Sequence, residues 1–449
     1  MLGMKSAQAR RTTFGACVLG AALGVAGLAA AADAPKTPTF TKDIAPIFQD
    51  KCEACHRPNS IAPMSLVTFA ETRPWARSIK TRVAEHQMPP WQIDRTVGIQ
   101  KFKNDRSLSD EQIETIVRWV DAGAPQGDSK DMPAPRQWPD GQGWNFAPLF
   151  GQKEPDLIIK SYEFTMGAVA QDAWDKRITP SGITEPRWVR AIEIRPETLK
   201  GRKITHHAIA YLEQNDPDNP ALPGLPTPFM EWAVGKQGEM MRPDTGKLLL
   251  PGSKFHWDIH YSQAGEEITS KVEMGIYFYP KGQDPKYRTT LSLVPAALGT
   301  LDIRPNSIAV EEGFTTLREN ARIESFQAHM HLRGKAMMVE AILPSGIRQV
   351  ISLVSDFNFN WMTTYVYADD AAPLLPKGTI LKVTAWHDNT TAKKSNPDPN
   401  QWVGWGDRTV DEMAHAWINI VYMKDADFKV EQDKRRSSQT TTTAPAQQP

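Results

Sequence analysis

The spacing of apolar residues changes from helical to strand-like about one third of the way along the chain. Before the change, apolar positions recur at helical spacing over residues 44–48. They do so again at Ile113, Ile116, Val117 and Val120. Ser109 or Asp110 would cap this second helix and Gly123 would end it. Residues 33–128 are therefore predicted to form a small all-α domain.

From Leu157 onward the chain consists of short β-branched and aromatic runs, such as residues 271–279, separated by Pro, Gly, Asn and Asp. This pattern predicts antiparallel β-sandwiches. The region is long for one sandwich, so we expect two, over residues 156–298 and 299–429, meeting between Pro295 and Pro305. The predicted fold class is multidomain, with an all-α domain followed by two all-β antiparallel sandwiches.

Two further segments differ in composition from these domains. Residues 129–155 are rich in Pro and Gly, which is typical of a linker. Residues 430–449 are polar, contain a run of Thr and are predicted to be disordered.

The N-terminus has the features of an export signal. Lys5, Arg10 and Arg11 precede an apolar stretch over residues 16–30, and small residues follow it. We therefore predict a signal peptide over residues 1–32. The apolar stretch is too short and too weakly apolar to predict a stable membrane span.

The net charge gives no support for a nucleic-acid partner. The chain carries 52 basic and 52 acidic residues. Removal of the predicted signal peptide takes away three basic residues and leaves 49 basic against 52 acidic. Nucleic-acid-binding domains usually carry a marked basic excess.

The pentapeptide Cys52-Glu-Ala-Cys55-His56 is the signature of covalent haem c attachment. The remaining cysteine, Cys17, lies in the predicted signal peptide, so the exported chain would be free of disulfides once its two thiols hold haem. A zinc site would need two more ligands at suitable spacing, and none follow. We predict one covalent haem c with His56 as an axial ligand. Because haem c is attached outside the cytoplasm, the protein is expected in the periplasm.

The second axial ligand must come from farther along the chain. Met88 is the preferred candidate, because the prolines that follow it would make a stiff loop that directs the thioether. Met64 and His86 are the alternatives. Ligation by His and Met would suit a one-electron carrier, and the size and layout of this region resemble a class I cytochrome c.

Most of the other histidines fall into three groups in the β region: His206 with His207, His256 with His260, and His329 with His331. An H-x-H pair on a strand places both rings on one face. With no free thiolate, the available ligands are imidazole and thioether, and redox chemistry beside a haem favours copper over zinc.

The order His-His, His-Tyr, His-x-His-x-x-Gly-Lys and Asp-Glu-Met over roughly residues 157–425 resembles the copper type II, ascorbate-dependent monooxygenases. This family includes the peptidylglycine α-hydroxylating and dopamine β-monooxygenases. The resemblance implies two jelly-roll domains with one copper each. It implies that an electron-transfer copper binds to His206, His207 and His260. The copper that activates oxygen would bind to His329, His331 and Met413.

The chain also departs from this family. The peptide-amidating members have an arginine and a tyrosine where this chain has Gln327 and Trp417, so peptide amidation is not expected. His256 lies on the same ideal strand face as His260 and is an alternative ligand to it. His415 could face the cavity of Met413, and His387 is more isolated.

The resemblance implies that the protein is an enzyme, a copper-dependent monooxygenase. It would hydroxylate a C–H bond of a small molecule with O2, using two electrons passed singly through the haem to two uncoupled coppers. The electrons would come from an ascorbate-like reductant or another cytochrome. The alternative is a non-catalytic copper-binding or electron-transfer cytochrome c protein.

Overall fold

The computed structural model describes residues 36–138, 143–217 and 227–442. The predicted signal peptide, including Cys17, lies outside these residues. From Pro38 onward the chain forms one compact unit. Strands make up 38% of the structure and helices 16%.

Most helices are short and lie before residue 132, and the longest, with 18 residues, lies near the end of the described chain. The α-helices are α1 (Ala45–Lys51), α2 (Phe69–Thr72), α3 (Ala76–Ala84), α4 (Asp110–Asp121), α5 (Gly201–Ile204) and α6 (Asp425–Thr442). A π-helical turn covers Phe40–Ile44, and 3-10 turns cover Arg73–Trp75, Ser129–Asp131 and Ala147–Phe150.

Strands make up most of the regular structure that follows. The first fourteen are β1 (Ile93–Gly98), β2 (Leu157–Lys160), β3 (Phe164–Met166), β4 (Ala173–Asp175), β5 (Ile178–Pro180), β6 (Arg187–Pro196), β7 (Thr205–Glu213), β8 (Thr227–Ala233), β9 (Glu239–Met240), β10 (Thr245–Leu249), β11 (Lys254–Tyr261), β12 (Ile268–Ser270), β13 (Val272–Phe278) and β14 (Tyr287–Ala297). The next ten are β15 (Asp302–Ile303), β16 (Ile308–Thr316), β17 (Asn320–His329), β18 (Gly334–Ile342), β19 (Arg348–Val354), β20 (Tyr365–Val366), β21 (Leu374–Leu375), β22 (Ile380–Asp388), β23 (Val403–Gly404) and β24 (Ala414–Met423).

The helical segment packs around its own apolar cluster. Ser109 caps α4 in a reciprocal arrangement with Gln112, and this helix buries Ile116 and Trp119. Phe40 and Phe48 pack on the same cluster. Local capping and helical spacing therefore account for these helices.

The prediction of a separate all-α domain over residues 33–128 is wrong. Strand β1 pairs antiparallel with β19 and so joins a five-stranded sheet in the second half of the chain. Trp91 and Ile93 belong to the hydrophobic core of that half. Asn104 holds the same region by donating to the carbonyl oxygen of Thr364 over 2.7 Å. The segment is therefore a mixed α and β structure that shares a core with the β region.

The prediction of two separate sandwiches is also wrong, although the β-rich, sandwich-like character fits in part. A ten-stranded sheet has the strand order β2-β13-β6-β10-β14-β24-β17-β20, with β9 paired to β6 and β21 paired to β17, so it contains strands from both halves. Its halves join where β14 pairs with β10 on one side and β24 on the other. Two further sheets complete the larger layers. One has the order β4-β11-β7-β8, and the other is the five-stranded sheet β1-β19-β18-β22-β16.

Part of the predicted linker packs against the β region, and the first part of the predicted tail is helical. Trp144 and Ala147 are buried against Tyr277, and the backbone amide of Phe146 donates to Glu193 over 2.7 Å. Helix α6 covers the first part of the predicted tail, and residues 443–449 lie outside the described chain. None of the helices within the described ranges combines the length and apolar character required to cross a bilayer.

Candidate metal centre

The adjacent residues His206 and His207 both reach one site because β7 is irregular at this point. His207 pairs with His260 on β11, but the next residue of β11, Tyr261, pairs with Thr205. His206 is therefore the extra residue of a β-bulge. Consecutive residues of a regular strand point to opposite faces, and a bulge removes that restriction.

His206, His207 and His260 form a compact group of three imidazoles. One ring nitrogen from each lies within 4.8 Å of the others. The ring centroids of His207 and His260 are 5.0 Å apart, and the Nδ1 atoms of His206 and His207 are 3.3 Å apart. Three nitrogen donors at this separation could hold one metal ion.

The ring of His260 is fixed by two neighbours that the sequence analysis did not identify. It stacks on Trp174 at a centroid distance of 4.7 Å and an interplanar angle of 1°. Its Nε2 lies 3.1 Å from Oδ2 of Asp172, although not in hydrogen-bond geometry. The same carboxylate oxygen accepts a hydrogen bond from Thr409 over 2.9 Å. Asp172 thus brings a negative charge to the edge of the three-histidine group.

His256 takes no part in this group. It lies on β11 opposite Tyr211, and its Nε2 is 2.5 Å from Oε2 of Glu213. Glu213 is exposed, and no nitrogen of His256 belongs to the group of three converging imidazoles. Of the two histidines on β11, the structure brings only His260 to His206 and His207.

The second group lies at the ends of β17 and β24. His329 pairs with His415 in the antiparallel register of these strands, and their rings stack at 4.5 Å. The ring of His331 is 5.5 Å from that of His329. His331 lies two residues after the end of β17, and Met413 immediately precedes β24. The predicted oxygen-site ligands therefore belong to the ends of two neighbouring strands.

A buried carboxylate holds the turn that carries His331. Glu412 accepts hydrogen bonds from the backbone amides of His331 and Arg333, over 2.8 and 2.6 Å. Nδ1 of His331 lies 3.1 Å from the carbonyl oxygen of Asp411, to which it must donate. This bond leaves Nε2 of His331 for a ligand.

His387 contacts the segment that carries Glu412 and Met413. It is fully buried, and its Nε2 donates to the carbonyl oxygen of Met413 over 3.1 Å. The same nitrogen lies 3.5 Å from Oε2 of Glu412. Burial raises the pKa of Glu412 to about 7, against the lowering effect of the backbone amides that it accepts from. His387 therefore positions the Asp-Glu-Met segment and is not isolated.

The two histidine groups adjoin each other. The rings of His207 and His329 are 6.3 Å apart and almost perpendicular. Phe359 bridges the groups, because it stacks on His206 at 4.7 Å and meets the ring of His331 edge-on at 5.8 Å. The result is one continuous cluster, which we call the histidine cluster. It comprises His206, His207, His260, His329, His331 and His415.

Burial keeps these imidazoles neutral. It lowers the pKa of His206 and His331 to about 4 and that of His415 to about 3, and repulsion from neighbouring imidazoles adds to the effect. The pKa values of His207, His260 and His329 are also lowered, chiefly by burial. Neutral imidazole is the form that binds metal ions.

Several ring nitrogens of the cluster are buried and lack hydrogen-bond partners within the described chain. They are both nitrogens of His260, both of His415 and Nδ1 of His329. Buried polar groups in folded proteins are nearly always paired. The donor set therefore fits a bound metal ion that prefers imidazole, with copper among the candidates.

The predicted haem ligands lie in the helical segment. Cys52 and Cys55 are unpaired thiols, both partly exposed. Nδ1 of His56 donates to the carbonyl oxygen of Met64 over 3.2 Å, which leaves Nε2 available. Cys52 and Met64 pack on the same apolar cluster as Phe40. Two thiols and an oriented imidazole beside an apolar surface fit covalent haem attachment.

The candidates for the second axial position, Met64, Met88 and His86, have different surroundings in the structure. Met88 and His86 line a separate cavity of about 330 Å³, whose described lining does not include Cys52, Cys55 or His56. Met64 instead lies in the apolar cluster with Cys52. The order of preference between Met88 and Met64 stays a prediction.

Comparison with known proteins gives no family for this chain. No family model matches it, and no curated protein matches it. A structure of the infectious bursal disease virus Gx strain shares 7% identity with it, over 62% of this chain and 77% of that chain, with a TM-score of 0.16. A VP2 subviral particle of the same virus shares 11% identity over 64% and 74%, with a TM-score of 0.17. Scores this low support no shared fold, so the resemblance to copper monooxygenases rests on the sequence motifs.

Proposed function

We propose that the protein is a periplasmic copper-dependent monooxygenase that also carries one covalent haem c. The observation that carries the proposal is the histidine cluster, in which six imidazoles from distant parts of the chain adjoin one another, four of them buried and two partly buried. A structural role alone would not require six neutral imidazoles in one place, three of which have buried ring nitrogens without partners among the described residues.

Copper would be held by two adjoining ligand sets. His206, His207 and His260 would hold one ion, and His329, His331 and Met413 would hold the other. Bound copper would supply the one-electron steps that reduce O2 during C–H hydroxylation.

The chain's own residues would orient and shield these ligands. Glu412 and the Asp411 carbonyl fix the backbone and the tautomer of His331. Phe359 and Trp174 cover His206 and His260 with apolar rings and so limit water. The 6.3 Å separation of the His207 and His329 rings would allow direct electron exchange between the two ligand sets.

The position of Cys55 supports electron entry from a haem. A small cavity of about 80 Å³ is lined by Cys55, Trp232 and Lys236. Trp232 pairs with Ala208, the residue that follows His207 on β7. Cys55 therefore lies near β8, the strand next to the one that carries His206 and His207, and a haem that it held would supply electrons singly. An ascorbate-like molecule or another cytochrome would reduce it.

The proposal is tested by oxygen-isotope incorporation. Copper-loaded full-length protein would be supplied with ascorbate, isotopically labelled O2 and a panel of small organic molecules. One labelled oxygen atom per hydroxylated product is expected. Met413→Ala should abolish product, whereas the control His256→Ala should retain it. Unchanged labelling in Met413→Ala would reject the assignment of the oxygen site.

A further inference from the structure

A cavity of about 370 Å³ lies beside the strands that carry the second histidine group. One wall is formed by Thr289 of β14, Ser325 of β17 and Asn419 of β24. Trp361 and Met362 also line the cavity. Its described lining contains no histidine, so it is distinct from the histidine cluster.

The strand register gives the separation between this cavity and the cluster. Ser325 pairs with Asn419, and His329 pairs with His415 four residues farther along the same two strands. Side chains four residues apart share a face and lie roughly 13 Å apart. Gln327 fills the interval and is buried. A ligand in the cavity would therefore not touch the proposed copper ligands.

Two buried polar atoms of the cavity wall lack partners. Oγ1 of Thr289 and Oδ1 of Asn419 make no hydrogen bond within the described residues. The amide nitrogen of Asn419 already donates to Oγ of Ser325 over 3.0 Å. The free atom of Asn419 is therefore an acceptor, and a donor from a ligand would satisfy it.

The charges around the cavity nearly balance. Its lining contains four basic and three acidic side chains. Lys236 pairs with both Glu231 and Glu239, over 3.3 and 3.0 Å, and Arg242 lies 3.4 Å from Asp369. Another lining cation, Arg106, has no ion-pair partner among the described residues, but it is partly exposed, so solvent would screen its charge from a ligand. The lining favours a neutral molecule.

The cavity volume and the aromatic side chain of Trp361 indicate the size and the ring character of the ligand. A cavity of about 150 Å³ can hold benzene, so 370 Å³ would accommodate two fused rings. We propose that this cavity binds a neutral organic molecule with one or two rings, whose N–H or O–H group donates to Oδ1 of Asn419. The proposal does not depend on the proposed monooxygenase activity.

The segment that closes the cavity also contacts the histidine cluster. Trp361 and Thr364 line the cavity, and Thr364 donates to Gln327, two residues before His329. Phe359, in the same segment, stacks on His206. Ligand binding should therefore alter the environment of His206.

The test is calorimetric titration of metal-free full-length protein with three matched probes. Indole carries an N–H donor, 1-methylindole lacks it, and indole-6-carboxylate adds a charge. Indole is expected to bind more tightly than 1-methylindole by roughly fivefold, the usual contribution of one neutral hydrogen bond. The carboxylate is expected to bind more weakly than either. Equal affinities for the three probes, or no binding of indole, would overturn the proposal.

Two substitutions in the wall sharpen the test. Asn419→Leu removes the acceptor and should lower the affinity for indole to that for 1-methylindole. Thr289→Val keeps the side-chain volume and should weaken indole binding by a smaller factor. This variant tests the site even if Asn419→Leu does not fold. Thr72→Val is the control, because this hydroxyl is also buried and unpaired among the described residues but lies on α2. Indole affinity that is unchanged in both wall variants would reject the site.

Discussion

Replacing His260 by alanine should remove the copper of the first ligand set, whereas replacing His256 should not. The two histidines are four residues apart on β11, but only His260 has a ring nitrogen within 4.8 Å of nitrogens of His206 and His207. Loss of a residue that merely orients a metal ligand typically costs 10- to 100-fold in affinity. Loss of one of three ligands should therefore cost at least about 100-fold, or about 2.7 kcal/mol.

The assay is competition for Cu(I) against a chelator of known affinity, followed by electron paramagnetic resonance of the oxidised protein. His256→Ala is the matched control, because it removes the same side chain from the same strand and breaks only an exposed contact to Glu213. Copper that persists at full affinity in His260→Ala and is lost in His256→Ala would refute the assignment.

Three further predictions concern the second ligand set, the haem and the buried charges. His329→Ala should lose one copper and all hydroxylation while leaving the haem absorbance unchanged; loss of the haem bands would contradict the separation of the sites. Replacing Cys52 and Cys55 together by serine should abolish covalent haem but leave part of the ascorbate-driven turnover, as measured by oxygen uptake. Glu239→Gln should lower the free energy of unfolding at pH 7 by about 3–5 kcal/mol, because it leaves Lys236 and Lys247 buried without that partner.

The pH dependence of the last effect follows from the pKa of Glu239. Burial alone would raise it, but Lys247 and Lys236 lower it to about 2. The stabilisation is therefore complete above the ordinary value of 4.5 and is lost as the pH falls toward 2. The difference between wild type and Glu239→Gln in urea denaturation should shrink between pH 4.5 and pH 3. The exposed substitution Glu114→Gln, which should have little effect at either pH, is the control.

The sequence predicted the β-rich character of the chain because alternation and turn residues are local signals. It predicted helix α4 from its apolar spacing and its cap at Ser109. It did not predict that β1 would pair with β19, because the partner strand lies in a distant part of the chain and pairing of distant strands leaves no local pattern. That single pairing makes the separate all-α domain wrong.

The histidine groups were visible in the sequence, but their arrangement was not. The bulge at His206 arises from the register between β7 and β11, which spacing alone does not reveal. Asp172 and Phe359 have no motif around them, and only the fold brings them to His260 and His206. The merging of the two groups at His207 and His329 likewise depends on the packing of two sheets.

Metal analysis combined with electron paramagnetic resonance of the copper-reconstituted full-length protein tests the central claim most directly. The account predicts two copper ions and one low-spin haem per chain, with nitrogen hyperfine structure on the copper signals that is altered in His260→Ala and in His329→Ala. Reconstituted protein that retains fewer than two copper ions per chain would contradict it, as would copper signals that are identical in both variants and the wild type.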